Sequence, residues 1–212
     1  MGAATLDPPV VSRVAARFGW VRHPAVRIGF AVLVVALFAA SYTQPVWVSR
    51  FVAPQYPYGL HLHVYLDRVT GDTFEVDLLN HYVGMRPVAQ MATVERSLAV
   101  AALVAAGVAA VVAAAFRRTA WQACFVLPLV LFPVGMLVDL YAWLWYAGHA
   151  LDPTAPMGMT AKPFMPKLIG TQQVVNFTVT STLGLGTWLQ VAASAALAGA
   201  ATVGWRLARR AG

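Results

Sequence analysis

Four long apolar stretches without a lysine or arginine dominate this chain of 212 residues. A hydrocarbon core of about 30 Å is crossed by about 20 apolar residues in helical conformation, and each stretch has about that length. We therefore predict four transmembrane helices at residues 28–48, 97–116, 123–147 and 187–205. The chain as a whole is 59% hydrophobic and 11% charged, a composition typical of integral membrane proteins rather than soluble domains.

The positive charges orient these helices. Nine of the 15 Lys and Arg residues lie in the leader of residues 1–27, in the short connection after residue 116, or in the tail of residues 206–212. Loops rich in Lys and Arg remain in the cytoplasm. We therefore predict that both termini are cytoplasmic and that two longer loops, residues 49–96 and 148–186, lie on the opposite side. A cleaved signal peptide is the alternative for the first stretch, although its apolar run exceeds a normal signal-peptide core.

The first outer loop contains two runs in which apolar and polar side chains alternate. Residues 60–66 form the first run and residues 74–78 the second, with Gly71 between them. Alternation with a period of two predicts β-strands, and a glycine between two such runs favours a hairpin. The predicted fold is therefore an all-α membrane protein, a four-helix transmembrane bundle with a small periplasmic cap containing a β-hairpin. In the expected register, His63 faces Asp77 and Tyr65 faces Glu75.

The outer loops also bring together residues that could bind copper. Histidines two positions apart on a strand point to the same side, and imidazole and thioether groups are ligands that suit Cu(I). The predicted metal ligands are His61, His63, His81, Met85 and Met159. Protonation of imidazole competes with metal, so we expect affinity to fall below about pH 6.5. The alternative is a polar strand face without metal.

An acidic residue lies inside the third apolar stretch. Asp139 is about 12 Å from the outer end of that helix, at about 1.5 Å per residue, and an unpaired carboxylate at this depth costs several kcal/mol. Three interpretations remain open from the sequence. Asp139 could be a polar anchor beneath an outer site, a partner of Arg96, or a protonated acid facing the bundle.

The sequence lacks the residues that several functions usually require. No histidine lies in the middle of any apolar stretch, so haem bound between helices is not expected. The single cysteine, Cys124, cannot form a disulfide framework or a redox pair by itself. No nucleophile and base pattern is recognisable, so the chain is predicted not to be an enzyme. A membrane enzyme that uses His81, Asp139 and Lys167 is the weakest alternative.

Three segments resemble a known group of proteins. They are PQYPYGLHLHVY, LLNHYVGM and KPFMPKLIGTQQVVNFT, which begin at residues 54, 78 and 162. They resemble NosB-like small integral membrane proteins encoded among the accessory genes of nitrous oxide reductase. The resemblance implies a bacterial cytoplasmic-membrane protein that helps to assemble, supply or couple electrons to a periplasmic copper enzyme, but it assigns no catalytic residue.

The leading functional hypothesis is an accessory membrane protein of denitrification. Its cap would dock a periplasmic copper or haem protein and could supply copper, while membrane lipid surrounds the helices. The residues expected to shape the cap or contact the partner are Asn80, Tyr82, Gly84, Asp139 and Lys167. The alternative is a structural membrane-anchor subunit of a respiratory electron-transfer complex, which would pack against other membrane subunits. Nucleic acid is not expected as a partner.

Overall fold

The computed structural model describes residues 23–115, 119–157, 162–174 and 176–209. The helices within these ranges are α1 (Pro24–Tyr42), α2 (Thr73–Val83), α3 (Thr93–Ala115), α4 (Thr119–His149) and α5 (Leu185–Arg209). The strands are β1 (Trp47–Ala53), β2 (Tyr56–Val64), β3 (Val69–Gly71), β4 (Gly170–Val174) and β5 (Phe177–Leu183). The predicted class is confirmed in part, because the chain is mostly helical but carries a five-stranded antiparallel sheet instead of a single hairpin.

The four long helices pack side by side. Helix α1 contacts α3 and α5, and α4 contacts the same two helices. In the described ranges, three helical stretches are long and apolar enough to cross a membrane, namely Ala25–Tyr42, Thr93–Ala113 and Cys124–His149. Helix α5 contains the fourth predicted span. Within the described ranges it has no stretch that is apolar enough to be counted with these three. Polar residues that α5 buries against its neighbours lower its hydropathy; they are Thr187, Gln190 and Ser194.

The first helix ends earlier than the sequence predicts. Its last residue is Tyr42, and residues from Trp47 onward form strand β1, so the predicted span of residues 28–48 is wrong at its outer end. Pro45 has no backbone N–H and disfavours helical conformation in the residue before it. Apolar residues beyond this point are buried by the sheet, so hydropathy alone extends the helix too far.

A side chain on α5 compensates for a proline in α4. Pro133 lies inside α4 and cannot donate to the carbonyl of Leu129, four residues earlier. The Ser194 hydroxyl donates a hydrogen bond to this carbonyl at 3.0 Å. The bond satisfies a backbone acceptor that lipid could not satisfy, and it joins α5 to α4.

Gln190 on α5 is a buried side chain whose hydrogen bonding is incomplete. Its Nε2 lies 3.5 Å from the Ser41 hydroxyl, and its Oε1 is buried with no partner in the part of the chain that the structure describes. A buried unpaired acceptor costs about 1–3 kcal/mol. We predict that Gln190→Met, which keeps the side-chain length, raises the free energy of unfolding by about 1 kcal/mol. Unfolding in mixed micelles measures this change, and a loss of stability would contradict it.

The five strands form one sheet at one end of the helices. Their order is β3-β2-β1-β5-β4, and all neighbouring pairs are antiparallel. The central pair joins β1 from the first outer loop with β5 from the second. The expectation that both loops form a single unit is therefore confirmed. We call this unit, residues 46–92 and 150–184, the cap.

The predicted hairpin is wrong in its second strand. Residues Thr73–Val83 form helix α2, and β2 pairs instead with β1 and with the short β3. His63 consequently pairs with Thr70 and Val48, not with Asp77. Helix α2 buries Val76 and Asn80, which are four positions apart and share a helix face. The alternation of residues 74–78 therefore has no structural counterpart.

Candidate functional site

The two strand histidines lie side by side, as predicted. His61 and His63 are on β2, and their ring centroids are 6.5 Å apart with nearly parallel planes. They occupy the sheet face opposite to Leu62, which is buried, because side chains alternate along a strand. We call their face the outer face of the sheet. The pair is thus accessible from outside the cap.

The surroundings of this pair do not complete a metal site. Asp72 Oδ2 is 3.9 Å from His61 Nδ1, but the same oxygen accepts a hydrogen bond of 2.7 Å from the His61 backbone N–H. Arg50 on β1 pairs directly with His61 in the sheet, which places a cation beside the imidazole. No group of three His, Cys, Asp or Glu within the described ranges could hold a metal ion. The described His, Cys, Asp and Glu residues therefore supply no three-ligand group around this pair.

Two of the other predicted ligands, His81 and Met85, are not brought to this pair. His81 is exposed on α2, and Met85 lines a cavity on the other side of the sheet. Met159 lies outside the described residues. His81 instead lies near Asp152, whose pKa is lowered first by hydrogen bonds from the Thr154 hydroxyl and N–H and then by the charge of His81. Of the predicted copper ligands that the structure describes, His61 and His63 are the two that lie together.

The remaining predicted residues near α2 join the two halves of the cap. Gly84 ends α2 with a φ of 88°, and its carbonyl accepts a hydrogen bond from Asp152 N–H at 2.8 Å. The carbonyl of Tyr82 accepts one from Met157 N–H at 3.0 Å. Asn80 donates through Nδ2 to Asp77 Oδ1 and to the carbonyl of Arg86. The contacts of Gly84 and Tyr82 hold the second outer loop against α2, whereas those of Asn80 stay within the first outer loop.

Lys167 has a local role in the second loop. Its Nζ donates to the carbonyl of Thr171 at 2.9 Å, and its backbone N–H donates to Gln172 Oε1 at 3.0 Å. Both bonds close the turn that leads into β4. Lys167 is itself exposed, so it can reach solvent from this position.

A cavity of about 740 Å³ separates the cap from the helices. One wall is the inner face of the sheet, including Trp47, Phe51 and Leu62, and another is α2 with Val76 and Leu79. The volume is within the range of about 300–1,000 Å³ that small-molecule sites occupy. Most of the lining is apolar, as is typical of sites that hold a hydrophobic or amphiphilic molecule. This cavity is the best candidate for a functional site.

Two of the long helices form the remaining wall. Helix α3 contributes Glu95, Ala99 and Ala102, whose spacing of three to four residues places them on one face. Helix α4 contributes Phe132, Gly135, Met136, Asp139 and Trp143 in the same manner. Small side chains on both faces leave the space open. The cavity consequently extends from the cap into the region between two helical stretches that are long and apolar enough to cross a membrane.

The charged groups of this wall are Glu95, Arg96 and Asp139. Arg96 donates hydrogen bonds to backbone carbonyls, those of Val88 and Ala89 at 3.0 Å and that of Met91. It forms no ion pair with Asp139 in the described ranges, so the predicted partnership of these two residues is absent there. Asp139 lies beneath the cap, as one of the three sequence interpretations proposed. Glu95, which sequence reasoning missed, lines the same cavity as Asp139.

Sequence comparisons add no family to this description. No protein-family model matches the chain, and no curated protein matches it significantly. The resemblance to NosB-like proteins therefore remains a prediction from three short segments.

Proposed function

We propose that the four long helices form a transmembrane bundle in a bacterial cytoplasmic membrane, with the cap on the periplasmic side. The distribution of arginines in the sequence supports this orientation, because nine of the 15 Lys and Arg residues fall in residues 1–27, 117–118 and 206–212, outside the segments that form the cap. The position of α5 between α1 and α4 supports four spans. Its buried polar residues are shielded from lipid by these neighbours.

Reporter fusions test this topology. We expect fusions at Gly71 and Pro163 to report a periplasmic location and a fusion at Ala211 to report a cytoplasmic one. A cytoplasmic signal from either cap position would contradict the arrangement.

The main functional proposal is that this protein is a non-enzymatic binding protein that holds one amphiphilic molecule between cap and helices. The observation that carries the proposal is the cavity of about 740 Å³, which is mainly apolar and has a few charged groups on its helix wall. An apolar space of this size favours a molecule with a hydrocarbon part. The charged residues would then select its polar group.

Filling the cavity tests this proposal. Gly135 lines the cavity, and a side-chain carbon added there has no atom within 4 Å. Gly135→Leu should therefore occupy the space without disturbing α4, and leucine favours helix by about 0.8–1 kcal/mol over glycine. The matched control is Gly199→Leu on α5, where the added carbon is equally free but does not face the cavity.

Native mass spectrometry from mild detergent provides the measurement. We expect the wild-type protein and Gly199→Leu to retain one amphiphile per chain, and Gly135→Leu to retain at least tenfold less. A wild-type protein that carries no bound molecule would contradict the proposal. Equal retention by Gly135→Leu would contradict it as well.

Docking of a periplasmic partner is a second candidate function. Its support is an apolar stripe on the exposed side of α2, where Phe74, Leu78 and Tyr82 are 78%, 48% and 51% exposed. Residues four apart share a helix face, so these side chains form one surface. The partner proposed is the copper enzyme that the sequence resemblance implies. Aromatic side chains of this kind are common at the centre of protein interfaces.

Copurification with that enzyme separates docking from the anchor-subunit alternative. We expect Phe74→Ser with Leu78→Ser to abolish copurification, while Ile169→Ser, an exposed apolar position elsewhere in the cap, preserves it. Retention of the partner by the double variant would contradict docking through α2. A stoichiometric haem-containing partner would instead favour an anchor subunit.

Copper binding also remains a prediction, now restricted to the two strand histidines. We expect His61→Ala with His63→Ala to lower the affinity for Cu(I) at least tenfold, which corresponds to about 1.4 kcal/mol. Competition with a Cu(I) chelator measures the affinity. The control is His149→Ala, because His149 stacks on Trp145 at the end of α4. An unchanged affinity in the double variant would show that these two histidines do not bind copper.

A further inference from the structure

The helix wall of the cavity has more acidic than basic side chains. Two carboxyl groups, Glu95 and Asp139, and one guanidinium group, Arg96, line this wall. Asp139 lies inside the apolar stretch of α4, where a charge requires a partner or neutralisation. Glu95 is exposed in the first turn of α3, next to Arg96.

The guanidinium group is already committed to the protein backbone. Arg96 donates to the carbonyls of Val88, Ala89 and Met91, and its Nε donates to that of Ala92. These acceptors belong to the turn that leads into α3, so the interactions fix the end of the cap to the helix. Arg96 is therefore a structural donor, and its single positive charge leaves one negative charge in excess on a wall with two ionised carboxyl groups.

Neither acid has a hydrogen-bond or ion-pair partner within the described ranges. The ion pairs there involve His61 with Asp72 and Arg68 with Asp67. Glu95 and Asp139 line the same cavity, and two like charges in an apolar space repel. A ligand that brings a positive charge and several N–H donors would relieve this repulsion.

A third acceptor lines the same cavity. Asn80 is 8% exposed, and its Nδ2 is used by Asp77 and Arg86. Its carbonyl oxygen accepts no hydrogen bond from the described residues. Among the described side chains, the buried atom without a partner is Gln190 Oε1 and not this oxygen, so the Asn80 carbonyl is an accessible neutral acceptor that adds to the lining of the cavity.

We propose that the amphiphile in the cavity carries a primary ammonium group, which is held by Glu95 and Asp139. This inference rests on the proposed binding function and specifies the chemistry of its ligand. A primary ammonium has three N–H donors and one positive charge, which matches unpaired acceptors that are mainly acidic. A quaternary ammonium has the charge without the donors, and an anionic headgroup has the wrong charge. Such an amine can come from an aminophospholipid headgroup or from a long-chain alkylamine.

Lipid exchange in nanodiscs of defined composition tests the headgroup. The bilayers contain equal amounts of phosphatidylethanolamine, phosphatidylcholine and phosphatidylglycerol, and native mass spectrometry identifies the molecule that remains bound. We expect at least a tenfold preference for phosphatidylethanolamine over either competitor. Dodecylamine added to the same mixed nanodiscs distinguishes the sources. Displacement of phosphatidylethanolamine by dodecylamine means that the amine alone is recognised, and its failure to displace means that the ligand is the whole lipid.

Glu95→Gln with Asp139→Asn removes the negative charges while keeping side-chain size. We expect this variant to retain one lipid but to lose the preference at least tenfold, whereas the control Glu75→Gln, outside the cavity, keeps it. The single variants repeat the test if the double variant does not fold. An unchanged preference with full occupancy would overturn this inference and leave the binding function intact. Retention of a quinone or of phosphatidylglycerol by the wild-type protein would overturn it as well. An empty wild-type cavity would instead show that the binding function itself is wrong.

Discussion

Replacing Ser49 and Ser181 by cysteines is expected to join the two halves of the cap through a disulfide and to stabilise the protein by about 2–4 kcal/mol. Ser49 on β1 and Ser181 on β5 are register partners, and their hydroxyl oxygens are 3.1 Å apart. Both are buried, so little rearrangement is needed. The bond would restrict a long segment of the unfolded chain, which includes α3 and α4. Unfolding with and without reductant, in a Cys124→Ser background, measures the gain.

A pair shifted by one residue is the control for this crosslink. Thr182 pairs with Val48 in the sheet, and its side chain points to the face opposite to Ser181. Ser49→Cys with Thr182→Cys should therefore form no disulfide in the folded protein. Efficient crosslinking of the shifted pair, or none in the register pair, would contradict the β1–β5 register and the single sheet that depends on it.

Gly84→Ala is expected to destabilise the cap by about 2–4 kcal/mol. Gly84 has a φ of +88°, and a side-chain carbon at this position would lie 2.7 Å from Asp152 O and 2.9 Å from Asp152 N. The conformation is unfavourable for alanine, and the contact with backbone cannot relax by a side-chain rotation. The second outer loop must therefore move away from α2. A lower thermal midpoint of cap unfolding measures the effect.

Gly170→Ala separates these two causes. Gly170 also has a positive φ, of +107°, but its nearest neighbour to an added carbon is Lys167 Cδ at 3.9 Å. This variant should cost only the backbone strain, about 1–2 kcal/mol. If Gly84→Ala costs no more than Gly170→Ala, the close approach of the second loop to α2 is wrong.

The long helices were predictable because a membrane imposes a simple requirement on sequence. Every backbone polar group must be paired within the helix, and about 20 apolar residues must be consecutive. Three of the predicted stretches accordingly coincide with helices that could span a membrane. The shared face of His61 and His63 was predictable for a similar reason. Two residues that are two positions apart on a strand point to the same side, whichever strand lies next to it.

Helix α2 shows where local pattern failed. Residues 74–78 alternate in polarity like a strand, but the residues that α2 buries follow a helical spacing, Val76 with Asn80. Both periodicities are present in this short segment, and the cap selects the helix because its inner face covers the cavity. Phe74 and Leu78 consequently remain exposed, contrary to their expected place on the buried side of a strand.

By itself, the sequence determined the helical stretches, the clustering of charge at one end and the shared face of the two histidines, because these properties depend on neighbouring residues. The tertiary structure alone decided that β1 pairs with β5 and that Glu95, on α3, lines the same cavity as Asp139, on α4. It also separated His81 and Met85 from the histidine pair. Those relations join residues far apart in the chain, and they depend on how the sheet closes over the helices, which no local pattern encodes.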